Sequence, residues 1–514
     1  MILLYLVQGF SISLVEMSVP GFPGVQSFAW GKSSDGKWLI IGGRRDGLHP
    51  PQPFNAFQST YDNYDLIVVD PVAGQVWTYP VSSLPYPFSE QLRSTNMQFY
   101  QVGDRLYITG GYGYSPTEDE HITYPYLTAL DVDSVVNAIV NGGDPSRFFR
   151  YVFDSLFAVT GGQMGYMDGK FYLAGGQYFY GRYTFSGMGF IQRYTNAVRV
   201  FSVTDDGTGL GFTPLGEFYD SIALHRRDYS MVPQIFPEDR SFGYTMFAGV
   251  FRYDADLPWL DIVDVRPSGH YPAPGFYQLL SHYHSARLPI YDSTNNEMHT
   301  IFFGGIAQFY YDPMGDSLIE DTLVPFVKTV SKVTRRSDGT IYESVLPFEM
   351  PGYLGAGAEL IPTNEAFWEH EILMLDRLPE GVSLVGYIVG GIESNAPNVF
   401  FDDPLTNSWA SSRIFKVYVT KGESISVDER PVEHGFITEF KYTLTGKRLI
   451  LKVGTSGDLR IGAYDVSGKR LLQRYMDVKG RVEVEIDLTE FPAGVYLFDV
   501  STRRDRRTFR IILK

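Results

Sequence analysis

The chain has 514 residues, 44% of them hydrophobic, a formal net charge of −16 and no cysteine. That apolar content excludes a disordered chain. The missing thiols exclude disulfides, thiolate metal centres, iron–sulfur clusters and a cysteine nucleophile.

Charge is unevenly spread. Residues 436–514 carry 16 Lys+Arg against 10 Asp+Glu, and the remainder carries 27 against 49. An acidic body repels phosphate, so nucleic acid is not expected as a partner. The change of sign near residue 430 marks a domain boundary.

At the start, Met1–Val7 is apolar, and the first basic residue is Lys32. The segment lacks the charged opening of a signal peptide, so it reads either as the remnant of one or as part of the mature chain. Residues 11–19 alternate in part and end at Pro20, which predicts a strand. No run of about 20 apolar residues occurs, so no membrane-spanning helix is expected.

A phrase then recurs. Short apolar runs end in glycine pairs at Gly42-Gly43, Gly110-Gly111, Gly175-Gly176, Gly304-Gly305 and Gly390-Gly391, with a degenerate copy at Ala248-Gly249. The copies lie 56 to 86 residues apart, which is the signature of a repeat architecture. Upstream of each lies another apolar run closed by a polar turn, as at Gly103-Asp104 and Asp168-Gly169. Downstream, after a variable loop, come third and fourth runs such as 64–70 and 75–79. Such units, aromatic and broken by Gly and Pro, predict an all-β chain of six antiparallel blades. The long interval from 305 to 390 leaves room for a seventh.

The order His284-Ser285-Ala286, Pro289-Ile290-Tyr291 and Ile301–Gly305 resembles the kelch family of β-propellers. The resemblance spans roughly residues 10–420 and implies that 11–19 supplies the outer strand of the last blade. The family includes a copper oxidase with a Tyr–Cys crosslink, which a chain without Cys cannot form, so no cofactor is expected. It also includes carbohydrate-active, mutarotase-like members, whose polar residues sit in the channel. On that reading Arg44, Arg45, Arg226, Arg227 and Glu393 are channel candidates.

Residues 421–435 are polar and read as a linker. Beyond them about seven short strands suggest a small immunoglobulin-like β-sandwich over 436–514. Tyr464–Lys469, Ile486–Leu488, Phe491–Tyr496 and the closing strand resemble the C-terminal sorting domain (type A) of type IX secretion cargo. That resemblance implies the type IX machinery of a Bacteroidetes-type bacterium as a partner, with passage through the periplasm to the cell surface or medium.

Other motifs weigh less. His282 and His284 share one side of a strand and read as structural rather than as a metal pair. Asp131-Val132-Asp133-Ser134 lacks the calcium-loop order and reads as a turn. Ser33–Trp38 reads as a hairpin turn. The aromatic loops 44–63, 112–126 and 177–194 all leave one rim of the propeller. They hold His49, Phe54, Tyr61, Tyr112, Tyr114, Tyr124, Tyr126, Tyr178, Tyr180 and Tyr183, a composition that suits protein or glycan binding. The expected function is therefore non-enzymatic binding or assembly outside the cell. The alternatives are a propeller enzyme acting on carbohydrate and a self-associating structural protein.

Overall fold

The computed structural model describes residues 9–50, 56–183, 189–311, 318–400, 403–422, 430–431, 439–465, 469–502 and 505–513. Phe54 and Met1–Val7 lie outside them. The chain is all-β and divides into two units, Met1–Pro272 with Gln278–Arg430, and Ala273–Tyr277 with Pro431–Lys514.

Six sheets with a shared four-strand antiparallel pattern build the first unit, and each opens on a short strand of the repeat. The opening strands are Ala29–Lys32, Thr95–Val102, Gln163–Met167, Ser230–Ile235, Arg287–Asp292 and Ala358–Pro362. In the sixth sheet the outer strand is Phe10–Met17, which pairs antiparallel with Ile414–Lys421 over its whole length. Its Ile12 joins the core of the fifth and sixth sheets. The interval 305–390 holds the outer strands of the fifth sheet, Phe326–Arg336 and Ile341–Glu349, and the opening strand of the sixth. It contains no further four-stranded sheet among the described residues.

Two closed relays of backbone hydrogen bonds tie these sheets into a ring. In the first, a residue at or near the head of each opening strand donates to its counterpart in a neighbouring sheet. Ser27 donates to Gly357, Gly357 to His284, His284 to Asp228, Asp228 to Gly161, Gly161 to Asn96 and Asn96 back to Ser27, at 2.7–3.3 Å. Ser27, Asn96 and Asp228 adopt φ of 52°, and Gly161 and Gly357 adopt 67° and 66°. This left-handed region is one that Gly, Asn and Asp tolerate best.

The second relay explains the repeated phrase. Gly43, Gly111, Gly176, Gly249, Gly305 and Gly391 donate their N–H to Ser94, Val159, Arg226, His282, Leu354 and Val25, each just ahead of the next opening strand. A Cβ on Gly110 would lie 1.9 Å from the Val159 oxygen, so glycine is required by contact as well as by φ. Five of these second glycines, all but Gly305, accept from Asn63, Tyr124, Thr195, Trp259 and Ser411, which close the variable loops.

Between the first and second strands of the sixth sheet, the chain leaves its own sheet. Trp368–Glu369 and Ile372–Met374 form a small hairpin that adds to the free edge of Arg287–Asp292 in the fifth sheet, where Leu373 and Met374 run parallel to Ile290 and Tyr291. The turn residues His370 and Glu371 both have positive φ, 49° and 62°.

Residues 131–134, expected to form a turn, cap and begin an α-helix, Val132–Val140. Val132, Val135, Val136 and Ile139 form an apolar face packed into the core of the first and second sheets. The Asp133 carboxylate accepts from the Ser34 N–H and hydroxyl at 2.7 Å.

In the second unit, five strands form one hydrogen-bonded sheet among the described residues: Glu439–Thr445, Arg448–Asp465, Arg470–Asp487, Gly494–Ser501 and Arg506–Leu513. Fewer strands form than expected because the runs at 449–453 and 459–465 belong to one 18-residue strand. It pairs continuously with a second strand of the same length, and both pass through a positive-φ glycine, Gly457 and Gly480. The core is Leu449, Leu451, Ile461, Ile486, Phe498, Val500 and their neighbours.

Candidate functional site

The opening strands surround the hydrogen-bonded ring, and their polar side chains meet beside it. Gln163 of the third sheet, His284 and Arg287 of the fifth and Glu359 of the sixth form one network. Gln163 Nε2 lies 3.0 Å from His284 Nδ1, and His284 Nε2 lies 2.7 Å from Glu359 Oε1. Arg287 donates to the other Glu359 oxygen at 3.1 Å and to Gln163 Oε1 at 3.4 Å. Burial alone would raise the Glu359 pKa, but Arg287 and His284 outweigh it and hold the carboxylate below its usual value.

The hairpin brings in a second carboxylate. Glu371 interacts electrostatically with Tyr100 of the second sheet, Arg287 and Glu359. Enclosure raises its pKa to about 7 against the pull of Arg287 and Tyr100. Glu371 is solvent-exposed at the turn of this hairpin. The Tyr100 ring stacks on Tyr166 at 5.8 Å, and His370 stacks on Phe242 at 4.6 Å.

The arginines singled out from sequence have other employment. Arg44 is buried, bonded through two nitrogens to Asp46 at 2.8 and 2.7 Å and paired with Asp62 at 3.1 Å. Burial pushes the Asp62 carboxyl up to about 6 even beside Arg44 and Arg93. Arg45 pairs with Asp65 at 3.2 Å. Arg226 is fully buried, donating to the carbonyls of Ala223, Ala248 and Asp261 and pairing with the Asp261 carboxylate. Arg227 pairs with Asp228 and lies over the Phe251 ring. Glu393 pairs with Arg413, which also holds Glu16 of the N-terminal strand. Each of these five residues already has a charged partner of opposite sign.

The rim aromatics do meet across loops. Ring centroids run from His49 to Phe57 (4.4 Å), Phe57 to Tyr112 (5.1 Å), Tyr112 to Phe179 (5.2 Å) and Phe179 to Tyr183 (4.7 Å), joining the loops of three sheets. Tyr112, Tyr124 and Tyr126 are buried. Their hydroxyls engage the Gly181 carbonyl, the Tyr114 carbonyl and the Tyr86 hydroxyl. These three hold loops in place and offer no outer surface. His49, Tyr114, Tyr178, Tyr180 and Tyr183 are half-buried, and Tyr61 is exposed.

The two strand histidines part company. Buried His282 sits between the Gln278 carbonyl at 2.9 Å and the Gln308 N–H at 3.0 Å, while His284 enters the axial network. Burial pushes His282 down to about 4.

Sequence reasoning missed Gln163, Arg287, Glu359, Glu371 and Tyr100. A signal existed for two of them. Gln163 and Glu359 stand two places after the ring residues Gly161 and Gly357, where Gln98 follows Asn96 in the same way. Superposing the repeats would have exposed that polar position. Nothing local pointed to Glu371.

Residues 447–514 match the family model described as the secretion system C-terminal sorting domain. No curated protein matches the chain. Among solved structures, YjhT is similar at 10% identity and TM-score 0.41, covering 79% of this chain and 99% of its own. An exo-1,5-alpha-L-arabinanase from a bovine ruminal metagenomic library matches at 10% identity and TM-score 0.20, over 76% and 96%. The fission yeast SREBP–SCAP binding domains match at 9% and 0.22, over 64% and 74%. Likenesses this distant carry no functional argument, and the fold rests on the strand pairing itself.

The chain is thus an all-β, propeller-like protein with a type IX sorting tail. It is a secreted or cell-surface protein that engages the type IX machinery through that tail. No helix among the described residues is long and apolar enough to cross a membrane.

Proposed function

We propose that this protein is a six-bladed, kelch-like propeller exported to bind a small polar ligand of carbohydrate class in its axial lumen. The observation that carries this reading is the convergence of Gln163, His284, Arg287, Glu359, Glu371 and Tyr100 from separate sheets beside the ring. Sugars need both donors and acceptors, with aromatic faces for their C–H surfaces, and this set offers all three. The test is saturation-transfer NMR on the full chain with a panel of mono- and oligosaccharides. Signals should appear for some members and vanish in Gln163→Ala; silence across the panel removes the reading.

A catalytic role is a second reading, favoured by one observation. A carboxyl that ionises at about 7 is matched to proton transfer at neutral pH. Glu371 would then exchange a proton with the sugar, as a mutarotase or epimerase requires. Faster interconversion of anomers by the wild type than by Glu371→Gln, followed by NMR exchange, supports it; equal rates leave binding alone. The half-exposed rim residues His49, Tyr114, Tyr178, Tyr180 and Tyr183, with Tyr61, remain the surface for a protein or glycan partner. Alanine substitution of Tyr178 and Tyr180 should weaken that contact without altering the lumen.

A further inference from the structure

On the rim, three aromatic side chains from the third and fourth sheets stack into one column. Tyr194 closes the loop after Gly175-Gly176, His225 lies between the outer strand of the third sheet and the opening strand of the fourth, and Tyr253 follows Ala248-Gly249. Centroids lie 3.8 Å apart from Tyr194 to His225 and 3.9 Å from His225 to Tyr253, with interplanar angles of 22° and 26°.

Hydrogen bonds fix all three side chains. Arg227 Nε donates to the Tyr194 hydroxyl at 3.1 Å, His225 Nδ1 lies 2.9 Å from Asn196 Oδ1, and the Tyr253 hydroxyl donates to the Ser221 carbonyl at 2.5 Å. Arg227 also pairs with Asp228 of the first backbone relay and reaches the Tyr183 hydroxyl at 3.4 Å. The column is thereby braced from the axis and continuous with the aromatic chain of the first three loops. Burial and the nearby Arg227 hold His225 down to about 4, so its imidazole is neutral at neutral pH.

The column ends at Tyr253, which is 60% exposed. Its hydroxyl is already bonded, so what it presents to solvent is ring surface, held rigid before any ligand arrives. Exposed Tyr219 and Ile222 flank the Ser221 carbonyl that anchors it. Charged groups interrupt the apolar surface within three residues of Tyr253: Arg252 pairs with Asp254 at 3.1 Å, and Asp254 and Asp256 are exposed. A protein partner of standard size needs about 800 Å² of continuous surface, whereas one sugar ring needs a single aromatic face. A pyranose laid on Tyr253 meets it with its C–H face and offers its hydroxyls to the neighbouring carboxylates. Outside residues 436–514 the chain carries 49 acidic against 27 basic residues, a balance that repels anionic polymers.

We propose that the Tyr194–His225–Tyr253 column is a glycan-stacking subsite on the outer rim, which takes a pyranose ring of a neutral polysaccharide on Tyr253. It uses none of the residues of the lumen and stands whether or not the lumen binds sugar.

Saturation-transfer NMR titration of the full chain with cellohexaose, chitohexaose and hexagalacturonate sets two neutral chains against an anionic one. At least one neutral hexamer should bind. Tyr253→Ala should weaken it at least about fivefold, the scale of one lost aromatic contact, and Tyr253→Trp should keep it. Gln163→Ala should leave this binding unchanged. Failure of both neutral hexamers to bind, a preference for hexagalacturonate, or binding that survives in Tyr253→Ala would each overturn the inference. Binding lost in Gln163→Ala and kept in Tyr253→Ala overturns it while supporting the lumen. Sedimentation of the same proteins covers the remaining occupant: self-association of the wild type that disappears in Tyr253→Ala would assign the column to a second copy of the chain and overturn the glycan assignment.

Discussion

His284 Nε2 lies 2.7 Å from Glu359 Oε1, joining the fifth and sixth sheets at the axis through residues 75 positions apart in the chain. Arg287 completes the pair from the other side of the carboxylate. With Glu359 only 5% exposed, the interaction is that of a buried charge pair, strong when whole and costly when halved.

Glu359→Gln should therefore destabilise the first unit by about 3–5 kcal/mol, because it leaves the Arg287 guanidinium without its counter-charge. Arg287→Met combined with Glu359→Leu should recover most of that loss. Denaturant melts of the two variants check the claim, and a double variant no better than the single one contradicts it.

A separate buried carboxyl makes stability depend on pH. Glu343 is fully buried, and burial pushes it up to about 8 although the Leu279 and Leu280 N–H groups donate to it. The folded chain keeps this proton up to about pH 8, whereas the unfolded chain releases it near the ordinary carboxyl value of 4.5. The native state thus binds more protons across that window, so stability falls as pH rises through it. Thermal melts of Glu343→Gln should show a shallower fall than the wild type between those limits.

Glycine substitutions separate steric need from backbone strain. Gly110 (φ +63°) has the Val159 oxygen where a Cβ would go, and Gly74 (φ +65°) has nothing within 4 Å. Gly74→Ala should cost about 1–2 kcal/mol, the penalty of the left-handed region, and Gly110→Ala distinctly more. Equal costs would mean that the ring tolerates a Cβ at its joints.

Removing the N-terminal strand bares the outer edge of the sixth sheet. Without residues 9–17, the edge of Ile414–Lys421 loses eight paired residues and the Ile12 side chain leaves the core. A bare edge of that length is a template for pairing with another chain. Light scattering should show self-association of the truncated form at concentrations where the full chain stays monodisperse. The exposed Arg413–Glu16 pair contributes little here, so Glu16→Gln should lie within about 1 kcal/mol of wild type.

What the sequence determined by itself was local. A glycine pair is favoured where the backbone turns to positive φ against a neighbouring carbonyl, so Gly110-Gly111 or Gly390-Gly391 announces a joint without knowledge of the partner, although Ala248 takes the first place of one joint at φ 53°. The tail is legible for the same reason, since its strand and turn pattern lies within 68 consecutive residues. The site was not local. Arg44 and Arg226 stand beside glycine joints and look available, but their partners Asp46, Asp62 and Asp261 consume them only once the loops fold.

Glu371 shows the other side of that limit. Nothing around it distinguishes it from a surface glutamate, and only the crossing of residues 368–374 to the fifth sheet carries it to the axis, opposite Tyr100. Which side chains converge there was decided by ring closure. Ring closure sums weak, long-range contacts that no single stretch of chain contains.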